Sequence, residues 1–283
     1  MTQPGTPAQA GSEVGFMPEA LNLFRKAVEG LELGIKALRA GLTTFVNEVD
    51  AFLARAEEGL RNGHWWDKLA EWVTSTIADV LAHIRDLLED VRQKVDQILA
   101  MAEKAVVGTT PVLSLFSAGM DWATKVNTPL SEVGPDLSAS GKIDFWRTPA
   151  YLTFKTRVED QADAITSVVE KVKATSRWLS DVAEANTSYM VGLAGYASDV
   201  GGALATAAAD VAQIGAGNAV AAEEAVLDMS DVVGQTVTAI GKYVSGVVGR
   251  LAQVMNQVNE LVTEYGDHSG LPGGRWPKAV QAS

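Results

Sequence analysis

"VVGQTVTAIGKYVSGVVGRLAQVMNQVNELVTEYG", residues 232–266, sets Val233, Val237, Ile240, Val244, Val247, Leu251, Val254, Val258, Leu261 and Tyr265 in an unbroken alternation of four and three residues. An α-helix turns once every ~3.6 residues, so this spacing lays the side chains along one stripe, as in a coiled-coil seam. A half-buried strand would instead repeat every second residue.

The same spacing recurs upstream. Leu21, Phe24, Val28, Leu31, Ile35, Leu38, Leu42, Phe45, Val49 and Phe52 mark a helix that fades at "EEGLRNG", where Asn62-Gly63 supplies a C-cap and turn. A second helix starts near Trp65-Trp66, follows Leu69, Val73, Ile77, Val80, Ile84, Leu87, Val91, Val95 and Ile98, and stops ahead of Gly108 and Pro111. Two arms of about 40 residues, each roughly 60 Å long, read as an antiparallel hairpin. A third helix opens after Trp146: Thr148 suits the N-cap, and Pro149 suits the first helical position, where its missing N–H would have had no partner. Its stripe is Phe154, Val158, Ile165, Val168, Val172, Leu179, Val182, Tyr189 and Leu193.

The expected fold is all-α, an elongated bundle of long antiparallel helices with coiled-coil-like packing. Its organisation reads as a disordered N-terminus over 1–16, a helical hairpin over 17–107 and a connector over 108–141. A corner and long C-terminal helices over 142–266 and a flexible tail over 267–283 complete it. Within the connector, Pro129, Gly134 and Pro135 leave room for one short helix over 112–125.

Between Thr187 and Ala222 the chain is almost all Ala, Gly, Val, Ser and Thr, with Asp199 and Asp210 its only charges and a turn at "QIGAGNA". Its glycines include Gly192, Gly195, Gly201, Gly202, Gly215 and Gly217. Small side chains suit close helix contact, and they equally suit a hairpin inserted in a bilayer. The aspartates oppose insertion by about 2.5 to 3.5 kcal/mol each at a helix centre.

Composition narrows the chemistry. The 283 residues contain no cysteine, which removes disulfides and thiolate sites, and the formal charge of −12 argues against nucleic acid, whose phosphates demand clustered Lys and Arg. "MTQPGTPAQAGSEVG" has neither the basic start nor the apolar run of a signal peptide, so any export is expected by a leaderless route. The histidines, His64, His83 and His268, lack the i, i+4 spacing of a helical zinc site. Acidic pairs such as Glu57-Glu58, Glu89-Asp90 and Glu223-Glu224 diverge by about 100° on a helix and read as solvated faces. No G-x-S-x-G elbow occurs, and "GAGNAV" from Gly215 lacks the Lys-Ser/Thr of a phosphate loop. No catalytic residue, metal ligand or cofactor is expected.

"FWRTPAYLTFKTRVEDQADAITSVVEKV", residues 145–172, resembles the turn and second helix of the WXG-type proteins exported by type VII (ESX) secretion systems of actinobacteria, in which a Trp-x-Gly turn joins two long antiparallel helices. Trp146, Ala150, Tyr151, Phe154, Val158 and Gln161 fall where that pattern expects them, and the long helices beyond are similar to those of larger relatives. Thr148 stands where the family has Gly, and none of the five tyrosines is followed four residues later by the Asp or Glu of the family's export signal. The resemblance implies a helix-corner recognition element at Phe145, Trp146, Thr148, Pro149, Tyr151 and Phe154. A similar corner sits at Trp65 and Trp66. It further implies a non-enzymatic protein, secreted or held at the cell envelope, that associates with itself or with a protein partner; failing export, it would be cytoplasmic.

Two other readings stand beside this one. The glycine-rich segment suits an α-helical pore-forming or membrane-remodelling protein, and the bare rod of helices suits an intracellular scaffold.

Overall fold

The structure, a computed structural model, describes residues 10–61, 71–139, 149–271 and 274–276. Among them there is no strand. Six α-helices follow in order: α1 Ala10–Arg61, α2 Glu71–Val107, α3 Thr109–Trp122, α4 Thr128–Ala139, α5 Pro149–Gln213 and α6 Ala219–Gly266. A π-helical turn, Ala123–Asn127, joins α3 to α4. The all-α class and the long antiparallel helices expected from the stripes are both present.

Two boundaries differ from the expectation. α1 begins at Ala10, ahead of the first stripe residue, where no apolar period announces a helix. The connector is helical as far as Ala139, past Pro129. A proline ring ordinarily clashes with the carbonyl four residues back. Here the wider turn, closed by Thr128 N–H to the Ala123 carbonyl, comes immediately before Pro129, which occupies the first turn of α4. Thr128 Oγ1 donates to that same carbonyl at 3.0 Å, and Ser131 Oγ donates to the carbonyl of the buried Asn127 at 2.8 Å.

By packing, the chain forms two compact units, each built from segments distant in sequence. The first comprises residues 1–24, 110–186 and 248–283, and the second residues 25–109 and 187–247.

The second unit is an up-down-up-down arrangement of four helices. Ion pairs Arg39–Glu103, Asp50–Arg92 and Glu57–Arg85 join α1 to α2, each step up α1 being matched by an equal step down α2, so the hairpin is antiparallel. These pairs are largely exposed and contribute at most ~1 kcal/mol each, so they report the register more than they hold it. The apolar stripes hold it: Leu31, Leu38, Phe45, Val49 and Phe52 of α1 and Ile84, Val91, Val95 and Ile98 of α2 are buried, as are Leu193, Val200, Leu204 and Val211 of α5 and Val226, Val233 and Ile240 of α6.

Along α1 and α5 the small residues set the spacing. A Cβ added to Gly201 would lie 2.8 Å from the Ala37 carbonyl carbon and 2.9 Å from Leu38 N; one added to Gly41 would lie 2.5 Å from the Gly201 carbonyl oxygen. Backbone meets backbone at this point. The α5–α6 turn falls where "QIGAGNA" places it. Asn218 N–H closes on the Gly215 carbonyl at 2.9 Å, and Asn218 Oδ1 accepts from Ala221 N–H in the first turn of α6.

The first unit packs the start of α1, α3, α4, the first half of α5 and the end of α6. The Phe24 and Phe116 rings lie 5.4 Å apart in its core, and Val112, Ala123, Ile165, Val172, Leu179 and Val182 of the same unit are also buried. Trp122 Nε1 donates to the Val172 carbonyl at 3.2 Å, tying α3 to α5.

Candidate association surface

Of the residues marked by the sequence, Phe145, Trp146, Thr148, Trp65 and Trp66 lie outside the described residues. Pro149 opens α5, in the position its fixed φ and missing N–H suit. Tyr151 is half-buried, while Phe154 departs from the expected buried stripe: it is 44% exposed, and its neighbour Leu152 is 65% exposed.

The register of α5 on α6 gives the reason. Lys171 Nζ donates to the carbonyls of Glu264 and Asp267, satisfying acceptors at the α6 C-terminus, where a cation also meets the negative end of the helix dipole. Thr175 Oγ1 and Tyr265 Oη share a hydrogen bond at 2.9 Å, and the approach of Gly270 to Ser167 sets the next contact along. α6 ends at Gly266, so the α5 residues ahead of Ser167 run past its end and have no α6 surface to bury against.

α6 itself is unevenly covered. Val233 and Ile240 are buried, but Val244, Val247, Val254, Val258 and Leu261, on the same seam, are only half-buried. On the flank of that seam, Val248, Met255 and Val262 are 60%, 58% and 66% exposed. Leu152 and Phe154 of α5 and these three residues of α6 are among the exposed large apolar residues of the first unit, with Leu23, Leu113, Val133 and Trp276.

The glycines of the low-charge segment divide by neighbour. Gly201 touches α1, and Gly192 lets the Tyr243 ring lie on α5, where its hydroxyl donates to the Ser188 carbonyl at 2.7 Å. Tyr189 stacks on Tyr243 at 6.0 Å, and burial pushes the Tyr189 phenol above its ordinary pKa. Gly195, Gly202 and Gly215 have open space where a Cβ would stand, and Gly217 is exposed in the turn. Close packing is thus the state of part of the segment.

One polar arrangement escaped the sequence. Lys94 Nζ donates to Asp90 Oδ2 at 2.6 Å and to Ser230 Oγ at 3.2 Å, and Ser230 Oγ donates to Asp90 Oδ2 at 2.5 Å. The Lys94 and Ser230 hydrogen bonds hold the Asp90 carboxyl below its usual range. His83 stands 3.8 Å from Glu223, and each step from His83 to Asp90 is matched by an equal step from Glu223 to Ser230, so α2 and α6 run parallel. An open groove of about 600 Å³ beside Lys94 is lined by Ser230, Asp231, Gln235, Thr238 and Lys242. The cluster ties α2 to α6 in register.

Asp90 is therefore not the simple solvated acid that its Glu89-Asp90 pair suggested. Glu57 likewise reaches both Arg61 and Arg85. Among the described residues no group of three or more His, Asp or Glu side chains is placed to hold a metal ion. Comparison with protein-family models, with curated proteins and with solved structures found no match.

Proposed function

We propose that the protein acts through helix–helix association, without a reaction of its own, as a large multi-helix member of the WXG-type class that type VII secretion systems export or hold at the cell envelope. The observation that carries the association reading is the exposure of large apolar side chains on helices that are otherwise packed, Leu152 and Phe154 on α5 and Val248, Met255 and Val262 on α6. Val248, Met255 and Val262 recur at seven-residue steps along one helix, and exposed apolar residues in such a row can mark an interaction surface. The secretion reading rests on Phe145 to Gln161 and on the start of α5 at Pro149. Deleting the secretion ATPase in the producing cells and assaying the culture filtrate tests it: loss of the protein from the filtrate supports export by this route, and an unchanged amount sinks it.

A second reading, a pore-forming or membrane-remodelling protein, is favoured by one observation. Within Thr76–Val133 lies a window of mean hydropathy 1.3, long and apolar enough to cross a membrane, of which 28% is buried. Leakage from liposomes decides between the two; none across pH and lipid composition retires the membrane reading.

A further inference from the structure

α6 changes character at Gly241. Ahead of it the helix buries Val226, Met229, Val233 and Ile240; from Gly241 to Gly266 none of the described side chains is buried, and Val244, Val247, Val254, Val258 and Leu261 are only half-buried. Burial of an apolar face is what fixes a helix in a bundle, and helix propensity adds little to it. The second half of α6 is held in another way.

It is held at its two ends. At the near end the Tyr243 hydroxyl donates to the Ser188 carbonyl at 2.7 Å, and the ring stacks on Tyr189. At the far end Lys171 Nζ donates to the carbonyls of Glu264 and Asp267, while Tyr265 Oη shares a hydrogen bond with Thr175 Oγ1 at 2.9 Å and donates to the Lys171 carbonyl at 3.3 Å. Among the described residues, no side chain from Val244 to Thr263 bonds to or pairs with another helix; Ser245 and Thr263 return their hydroxyls to carbonyls of α6 itself.

Behind the near end the helix is at its weakest, in "GKYVSGVVG", residues 241–249. Gly241, Gly246 and Gly249 have open space where a Cβ would stand, so no close packing calls for them, and each stabilises the helix less than alanine would. Ser245-Gly246 is the kind of pair at which helices kink. Ser245 Oγ donates to the Gly241 carbonyl at 2.9 Å and so competes with the backbone bond that the same carbonyl accepts.

We infer that residues 250–266 of α6 are a strap, hinged at 241–249 and latched to α5 by Lys171, Thr175 and Tyr265, which lifts off α5 as one piece. Lifting breaks latch bonds that water replaces and uncovers side chains that already stand half in water, so the step lies well below unfolding of the whole chain. Once lifted, a piece of roughly 17 residues is near the length at which isolated helices are marginal, and its amides lose their protection. The chain then has a packed state and a state in which Val254, Val258 and Leu261 are bare. This holds for the chain by itself, whether or not the association reading stands.

Hydrogen exchange on the full chain, read by mass spectrometry, tests the strap. Amides of 250–266 should exchange at least about tenfold faster than those of 226–240, at one common rate, with a step across the glycine run. Lys171→Met should quicken all of 250–266 together. A lock should do the reverse. A Cβ at Gly270 would stand 3.4 Å from the Ser167 Cβ, close to the ~3.5–4.5 Å that a disulfide spans, and the chain has no cysteine of its own to compete. Oxidised Ser167→Cys/Gly270→Cys should slow exchange over 250–266 several-fold, reduction should restore it, and 226–240 should not respond.

A rate that falls smoothly inwards from Gly266, with Lys171→Met quickening the last turn alone, would reduce the strap to a fraying helix end and overturn the inference. Exchange of 250–266 as slow as that of 226–240, or a closed lock that leaves 250–266 unchanged, would overturn it as well. Should thiol titration show that the disulfide does not form, the rate profile and its response to Lys171→Met decide alone.

Discussion

Gly201 and Gly202 are neighbours on α5, and alanine at each should change stability in opposite directions. At Gly202 the new methyl meets nothing within 4 Å, and the residue is exposed. Only the helix preference remains, which favours Ala over Gly by about 0.8–1 kcal/mol. At Gly201 the methyl would stand 2.8 Å from the Ala37 carbonyl carbon and 2.9 Å from Leu38 N, both backbone atoms that no rotamer change can move aside. Ordinary contact requires about 3.5 Å or more, so α1 and α5 must separate by some tenths of an ångström along their seam. Overpacking of this kind costs about 1–3 kcal/mol, set against the same ~1 kcal/mol of helix preference. Gly201→Ala should therefore be neutral to destabilising by about 2 kcal/mol, and Gly202→Ala stabilising by up to about 1 kcal/mol. Gly201→Val, with two further methyl groups, should widen the gap. Urea unfolding followed by circular dichroism measures the difference. Equal stabilisation by alanine at both positions would refute the α1–α5 contact, and with it the argument that the low-charge segment is spent on close packing.

Other expectations follow from single contacts. Trp122→Phe loses a hydrogen bond to the Val172 carbonyl and should cost about 0.5–1.5 kcal/mol, whereas Trp178→Phe removes an indole N–H buried without an acceptor and should be neutral or stabilising in the same unfolding assay. Lys171→Met should leave the carbonyls of Glu264 and Asp267 uncapped, and hydrogen exchange over the last turn of α6 should quicken while that of α2 stays unchanged. Asp90 has its folded pKa depressed, so its contribution to stability is present above the unfolded value of about 3.9 and is lost as pH falls through the folded one. Asp90→Asn should accordingly destabilise at pH 7 and flatten the acid limb of the stability profile, and an unchanged acid limb would remove Asp90 from the account.

The long helices were legible because a period of 3.6 residues survives in any sequence that buries one face: Phe24, Leu38, Phe45 and Phe52, marked by spacing alone, are all fully buried. Spacing gives the direction a side chain faces but not whether anything covers it. Val244 and Val254 belong to the same seam as Val233, and Phe154 to the same stripe as Val172, yet all three are less covered, Phe154 because the register fixed by Lys171 carries it past the end of α6. Gly201 and Gly202 are identical as letters; only the position of α1 separates a contact from open space. The helix through Pro129 depends on a π turn that has no residue signature. The Asp90, Lys94 and Ser230 cluster joins residues 136 and 140 positions apart, beyond the reach of any local pattern. The first corner at Trp65-Trp66 and most of the Phe145–Pro149 corner fall outside the described residues, so the WXG-type resemblance rests on the sequence.

A protein that works by joining its helices to those of another chain must be found in a complex. The mass of the intact complex, measured on native extracts of the producing cells as the chain is diluted, tests this most directly. A mass of two chains, or of one chain with a defined helical protein, that falls on dilution and falls further for Met255→Glu is the predicted result. A single-chain mass at every concentration, unchanged by Met255→Glu and by substitution of Leu152 and Phe154 with Ser, would contradict it.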